Sequence, residues 1–419
     1  MIAINTFLAV YLVIYLFSSG IDAGLELLNS RHLKKFNKDV PDGFDGIIDE
    51  NKLVQITNYS IDNIRLALFQ SAVGKVIFLS IILMGILPWL SDTFRVFPYL
   101  VAGLLFFAIP SLIGAVADIP FSYLQIFRIE ERYGFNTRTI RIWITDIIKG
   151  LILLIILGGI LLSLLLLMVR HAGDRWWIWA WLIFFGFQHL ILVIYPTLIA
   201  PLFNKFTPLP DGELADRIGE LANKEGLNIT GIFQMDAERR SRHTNAYFTG
   251  LGKTKRIVLS DTLLKSHDHD EILAVLAHEI GHMKKGHIRK RLVLTGLVSF
   301  AIFFIASRMI SWDLLYRSFG FSNMPEYAGL FLIGVLWESV GFFLSPLGMA
   351  ISRRFEREAD HYMYNSIKTA EPLIRALKKM TTDNLSNLNP HPAYVKFNYS
   401  HPPVVERVRY LEGFEVGLQ

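Results

Sequence analysis

The sequence predicts an α-helical integral membrane protein of about seven transmembrane helices around a polar interior, interrupted by a soluble α+β insertion. Three observations carry this fold class. Hydrophobic residues fill 52% of the 419 positions and charged residues only 19%, which is more apolar surface than a soluble core can bury. The surplus is gathered into seven stretches, each near the roughly 20 residues that a bilayer core demands. Between the fifth and sixth stretches lies a long polar segment with strand-like runs.

The seven apolar stretches fall at about 2–19, 71–90, 97–119, 150–169, 177–201, 292–310 and 328–351. The first is the weakest. Its flank, Met1 to Thr6, lacks the basic residues of a secretory signal, which favours a retained signal-anchor over a cleaved peptide. Lys75, Gln188, His189 and Glu338 interrupt the apolar stretches. Charge is expensive in hydrocarbon, so such groups face a bundle interior or a water-filled cavity. A single one could simply pair and pack helices together; four of them favour a polar interior.

The chain then divides into 1–201, with helices one to five and cytoplasmic loops 20–70 and 120–149; 202–291, the insertion; 292–351, helices six and seven; and 352–419, a C-terminal segment. Lys and Arg cluster in 20–70, 120–149, 202–291 and 352–419, including Arg31, Lys34, Lys35, Lys38, Arg289, Lys290 and Arg291. The opposite loops carry few. Cytoplasmic loops hold the excess of Lys and Arg, so the N-terminus is expected outside and the C-terminus in the cytoplasm. The net charge of +5 is thereby a topology signal and not a nucleic-acid footprint. Sequons at Asn58, Asn228, Asn384 and Asn398 face the cytoplasm in this arrangement and are chance matches.

Within the insertion, β-rich runs are expected at 232–235, 245–249 and 256–260, the last two flanking a hairpin-like Gly250-Leu251-Gly252-Lys253. Gly252-Lys253-Thr254 is not a phosphate loop, because Tyr247 stands where that loop needs glycine. Nucleotide binding is rejected. Cysteine is absent, which excludes disulfides, thiolate zinc sites and cysteine nucleophiles and leaves His and carboxylates as metal ligands.

His278-Glu279-Ile280-Gly281-His282 fits the H-E-x-x-H pattern. On a helix, imidazoles at i and i+4 share one face and can grip one zinc ion. Asp268 and Glu271 have capping-box spacing, and Ile272, Leu273, Val275, Leu276 and Ile280 supply a burying face. Glu279 lies near the metal without ligating it, the position of a general base toward a zinc-activated water. A chance match on an amphipathic helix occurs in on the order of one chain in a hundred of this size. A catalytic site needs a third protein ligand, and Glu356 with Asp360 offers carboxylates on one helical face. Two spans separate them from His282, so both segments return to the same side of the membrane. Alone, Glu356 and Glu358 could be a helix salt-bridged to Arg353, Arg354 and Arg357. Joined to the His pair, Glu356 is the preferred third ligand, with Asp360 behind an imidazole and Glu358 and His361 as rivals.

With these residues the chain resembles the zinc-dependent type I CAAX prenyl endopeptidases, the group that includes the enzyme maturing yeast a-factor. The likeness covers nearly the whole chain. Its other blocks are Glu131-Arg132-Tyr133-Gly134-Phe135-Asn136, Ala200-Pro201-Leu202-Phe203-Asn204-Lys205-Phe206, Asn245-Ala246-Tyr247-Phe248-Thr249-Gly250, Arg256-Ile257-Val258-Leu259-Ser260-Asp261 and His401-Pro402-Pro403. The resemblance implies seven helices enclosing a large chamber, a zincin-like metalloprotease domain capping it on the cytosolic side, and removal of the aaX tripeptide from C-terminally prenylated Cys-a-a-X proteins. It also implies His278, His282 and Glu356 as zinc ligands, Glu279 as the base and Asp360 behind the ligands. Asn245 would lie on the strand that pairs with extended substrate, His401 would stabilise an oxyanion, and Arg407 would support it. The expected partners are a peptide or protein substrate, prenylated as in the family, and the lipid bilayer; neither nucleic acid nor nucleotide is expected.

The C-terminus, Glu415-Val416-Gly417-Leu418-Gln419, lacks the endoplasmic-reticulum retrieval tail of some eukaryotic members. This leaves room for a bacterial member in the inner membrane, acting on another substrate such as damaged membrane proteins. The alternatives are a broad membrane quality-control metalloprotease or, from another class, a transporter or scaffold in which zinc is structural. Three protein ligands beside a free Glu fit catalysis better than a closed structural site.

Overall fold

The structure is a computed structural model that describes residues 2, 4–227, 229–244, 246–249 and 256–417. Among the described residues, seven helices are long and apolar enough to cross a membrane: α1 (Thr6–Lys35), α2 (Glu50–Leu83), α3 (Tyr99–Glu130), α4 (Ile140–His171), α5 (Gly173–Phe203), α8 (His287–Met309) and α9 (Glu326–Ile367). The soluble insertion contributes α6 (Glu213–Lys224) and α7 (His269–Lys284), and the C-terminal segment α10 (Glu371–Asp383), α11 (Pro392–Asn398) and α12 (Val404–Glu415). Side-chain caps fix several starts: Asn5 accepts from the Leu8 N–H, Asp49 from Lys52 and Thr139 from Ile142.

The helices outrun the apolar stretches. At 1.5 Å per residue the 34 residues of α2 reach about 50 Å, against a hydrocarbon core of about 30 Å. The segments 20–70 and 120–149 are therefore largely helical and not loops: α1 continues to Lys35 and α2 begins at Glu50. Hydropathy marks only the turns that lie in lipid, whereas polar residues such as Arg31, His32 and Lys34 sustain the same helix in water. The longest case is α9, whose 42 residues carry the seventh span and run on past it until Lys368, at φ 70°, ends the helix.

Among the described residues the two largest apolar cores lie one at each end of the spans. The first joins the start of α1 (Leu8, Tyr11, Tyr15) to Ile82, Phe106, Leu166, Trp176, Ile310, Tyr316 and Leu332. The second joins Leu53 and Ile56 of α2 to Leu259, Leu276, Leu373 and Leu411 in the insertion and C-terminal segment. Residues 112–119 of α3 and 337–354 of α9 belong to neither. In the most apolar stretch of each span only 0–28% of residues are buried, so most of their side chains face lipid or an interior space instead of packing solid. Polar groups line up with this. Lys75 meets Asp22 of α1 at 3.3 Å, and Gln70 donates to Asp118 of α3 at 2.9 Å. His189 bonds the Phe185 carbonyl of its own helix, and Glu338 is exposed within the span.

The insertion carries a four-stranded sheet among the described residues, of β1 (Phe206–Pro208), β2 (Gly231–Met235), β3 (Ala246–Thr249) and β4 (Arg256–Ser260). Its order is β1-β2-β4-β3; β2 and β4 run parallel while β1 and β3 pair antiparallel. Edge strand β3 thus lies beside α7. The hairpin-like turn at 250–253 lies outside the described residues.

Helix α7 packs directly on α9, joining the insertion to the seventh span. A Cβ on Gly281 would meet the Ala359 Cα and carbonyl oxygen at 3.0 Å and the Tyr362 Cβ at 3.1 Å. Backbone touches backbone here, and only glycine allows it. Gly281→Ala is expected to destabilise the protein by about 1–3 kcal/mol through overpacking, read as a lower unfolding midpoint together with weaker metal retention. An unchanged midpoint would mean that the two helices separate freely.

Candidate metal centre

Helix α7 starts where the sequence places it. The Asp268 carboxylate accepts from the Glu271 N–H at 2.8 Å, and Glu271 reaches back to the Asp268 N–H at 3.1 Å, closing the capping box. Ile272, Ala274, Leu276, Ala277 and Ile280 are buried, which fixes the rotation of the helix and presents His278 and His282 on one face. Their Nε2 atoms lie 3.2 Å apart.

Glu356 arrives from α9 between them. Its Oε2 is 3.3 Å from His278 Nε2 and its Oε1 is 3.3 Å from His282 Nε2. One ligand atom from each of the three residues falls within 4.8 Å of the others, a group that can hold a metal ion. The chemistry of these atoms fits a divalent cation. Glu356 is buried, and its Oε2 has no hydrogen-bond partner; leaving such an oxygen unsatisfied is costly. Two imidazole nitrogens and a carboxylate facing one point suit a divalent cation.

The outer nitrogens of both imidazoles are held. His278 Nδ1 is 2.7 Å from Asp360 Oδ1, which orients the proton toward Asp360 and the Nε2 lone pair inward. Arg407 clamps the same carboxylate from α12, with Nε 3.0 Å from Oδ2 and Nη2 2.6 Å from Oδ1. Burial opposes charge on His278, but the Asp360 and Glu356 carboxylates outweigh it and push its pKa up to about 9. His282 Nδ1 is 2.9 Å from Nδ1 of His287, whose Nε2 is 3.1 Å from Glu358 Oε2. The His287 ring is buried flat against Phe355 at 4.2 Å. Each of the two imidazoles thus has a carboxylate behind it, directly for His278 and through a second imidazole for His282.

Glu279 sits beside the imidazole pair, where burial pushes its carboxyl up from the ordinary value. His401 is the most exposed of the group, at 61%, with Nε2 3.3 Å from Glu356 Oε1 and Nδ1 held by the Ser400 hydroxyl at 2.9 Å.

Of the residues expected from sequence, His278, Glu279, His282, Glu356, Asp360, His401 and Arg407 come together. Asn245 lies outside the described residues; its neighbour Thr244 is anchored by Asn384, whose Oδ1 accepts from the Thr244 N–H at 3.2 Å. The two rival ligands point elsewhere. Glu358 bonds His287, Lys290 and Arg354, and His361 packs on Phe414. Sequence reasoning misses His287. A histidine five positions beyond His282 is visible in the sequence, but nothing there shows that the helix break at Gly286 folds its ring back onto His282.

The chain is similar to known proteins over nearly its whole length. Residues 29–205 match the family described as "CAAX prenyl protease N-terminal, five membrane helices", and residues 208–415 match "Peptidase family M48". A CAAX prenyl protease 1 homolog from Arabidopsis thaliana is 35% identical over 98% of this chain and 97% of its own length. CAAX prenyl protease 1 of Saccharomyces cerevisiae is 40% identical over 74% of this chain and 72% of its own. The crystal structure of S. mikatae Ste24p superposes with a TM-score of 0.90 at 32% identity, covering 96% of this chain and 99% of that one.

Protonation of His278 and metal binding compete for the same nitrogen, so apparent zinc affinity should fall as pH drops from about 9 toward 6. Asp360→Asn removes the charge that raises the His278 pKa. The variant should bind zinc about 10–100-fold more weakly at high pH, with its remaining pH dependence moved to lower pH. Competition titration with a chelator at several pH values checks both; identical curves for the two proteins would contradict the pairing.

Proposed function

The chain belongs to peptidase family M48, in its CAAX prenyl protease branch, and is an integral-membrane metalloendopeptidase; from that membership we propose that it uses zinc to remove the aaX tripeptide from C-terminally prenylated Cys-a-a-X proteins. The observation that carries the reading is the convergence of His278 and His282, from the insertion, with Glu356, from the extension of a membrane span. A site so placed reaches a peptide end whose lipid remains in the bilayer.

In this reading His278, His282 and Glu356 hold the zinc, which when bound supplies Lewis acidity toward the water and the scissile carbonyl. Glu279 accepts a proton as the water oxygen bonds to the carbonyl carbon. It returns that proton to the departing amine nitrogen as the C–N bond breaks. His401, exposed toward the cleft, donates to the oxygen that gains charge. Asp360 and Arg407 hold the His278 ring, and His287 with Glu358 holds the His282 ring. Substrate extends along edge strand β3 near Asn245, gaining main-chain hydrogen bonds with little dependence on side-chain identity.

The test is cleavage of matched peptides with and without a prenyl group by the purified protein, with products read by mass spectrometry. The prenylated peptide should lose its last three residues, and Glu279→Gln should retain zinc while turnover falls at least about a hundredfold. Equal cleavage of both peptides would favour a broad membrane-protein protease. Near-normal turnover in zinc-loaded Glu279→Gln would remove Glu279 from the mechanism.

The Lys/Arg distribution supports an N-terminus outside and a metal site and C-terminus in the cytoplasm. Single cysteines at Lys265 and Asn365, introduced into this cysteine-free chain, should label from the cytoplasmic side and one at Ser322 from the other. Labelling of all three from one side would contradict the topology.

A further inference from the structure

Where the insertion meets the membrane region it faces α4 across a cavity of about 310 Å3. Arg141, Thr145 and Lys149 line it from successive turns of one helical face, with Asp146 beside them. The turn after β2 supplies Arg239 and Arg240.

The charge in this cavity is unbalanced. Asp146 is taken by Arg240, with Nε–Oδ2 2.9 Å and Nη2–Oδ1 2.8 Å, and both side chains are largely buried. Lys149 donates to a neutral acceptor, the Leu202 carbonyl, at 2.7 Å. Arg141 and Arg239 have no carboxylate partner among the described residues. Three cations therefore face a cavity whose one carboxylate, Asp146, is paired to Arg240. Arg138 adds to the field from behind: its charge is felt by Asp146 and Arg240, and its buried Nε has no hydrogen-bond partner.

The position of the cavity selects the kind of anion. Lys149 directly precedes the apolar stretch of α4, and Ile144, Ile148 and Ile152 on the same helix are 46%, 52% and 50% exposed, an apolar face that needs lipid against it. From Lys149 to Arg141 the helix rises on the order of 12 Å, enough to cross an interfacial layer roughly 5–8 Å thick. The exposed apolar face and two of the three cations, Arg141 and Lys149, thus share one helix, and Arg239 reaches the same cavity from the insertion.

We infer that this cavity binds the phosphate of an anionic phospholipid, with the acyl chains along the exposed isoleucine face of α4. Guanidinium forks suit phosphate oxygens because two N–H donors match two acceptors, and Lys149 adds a point charge at the depth of the glycerol. The bound lipid bridges α4 to the turn after β2 and so ties the insertion to the bilayer, beside the fixed Arg240–Asp146 pair. The site lies on the face of the membrane that carries the Lys/Arg excess, the face where anionic lipids collect when it is cytoplasmic.

The test is lipid retention by the full chain in nanodiscs of phosphatidylcholine with or without phosphatidylglycerol, with bound lipid counted by native mass spectrometry. One phosphatidylglycerol should be retained in preference to phosphatidylcholine. Arg141→Ala with Arg239→Ala should weaken it roughly fivefold per cation removed, about 25-fold together. Thr145→Glu, which sets a carboxylate between Arg141 and Lys149, should abolish retention while the unfolding midpoint in pure phosphatidylcholine stays at or above that of the parent. Inorganic phosphate should fail to displace the lipid. Equal retention of the two lipids by the unaltered protein, or unchanged retention in the variants, would overturn the site. Displacement by inorganic phosphate would overturn its assignment to the membrane.

Discussion

The metal centre depends on two helices of different origin touching without side chains between them. Helix α7 belongs to the soluble insertion and α9 is the continuation of a membrane span, and they meet at Gly281 and Ala359. His278 stands about one turn before Gly281 and His282 directly after it, and Glu356 stands about one turn before Ala359. A bulkier residue at 281 would push the helices apart by a few tenths of an ångström or more, and ligand distances have little tolerance for that. The 42-residue length of α9 follows from the same constraint, because an uninterrupted helix transmits the position of the span to Glu356 without a flexible joint.

The second constraint is electrostatic. Glu356 and Asp360 are buried, and buried carboxylates persist only with partners. Arg407 and His278 satisfy Asp360, while Glu356 is left facing the two imidazoles. The arrangement puts these pairs behind His278, His282 and Glu356 and leaves one atom of each directed at a common point. Contacts behind the ligands set tautomer and ring orientation, and here they run through two carboxylates of unlike reach: Asp360 touches its imidazole, whereas Glu358 acts through His287.

Much of this was legible in the sequence. The seven spans came from length and hydropathy, the start of α7 from the Asp268–Glu271 spacing, and the side of assembly from the two spans between His282 and Glu356. What hydropathy could not show is the helical continuation of α1, α2 and α9 into water, since the signal ends where lipid ends. His287 and the displacement of Glu358 were hidden for another reason: both depend on the glycine break at Gly286 and on the stacking against Phe355, which are tertiary. The cationic cavity on α4 was also beyond reach, because Arg141 and Arg239 lie almost a hundred positions apart and only the fold brings them to one face.

The spans pack at both ends and bury few residues between. The proposed chemistry rests on His278, His282 and Glu356 as the metal ligands, and X-ray absorption at the zinc edge of the purified, zinc-loaded protein tests that set. The expected result is a four-coordinate site with two imidazole nitrogens at about 2.0–2.1 Å and oxygen ligands at about 2.0–2.2 Å, and loss of the carboxylate oxygen signal in Glu356→Ala. A site with three imidazoles, or a spectrum unchanged in Glu356→Ala, would contradict it.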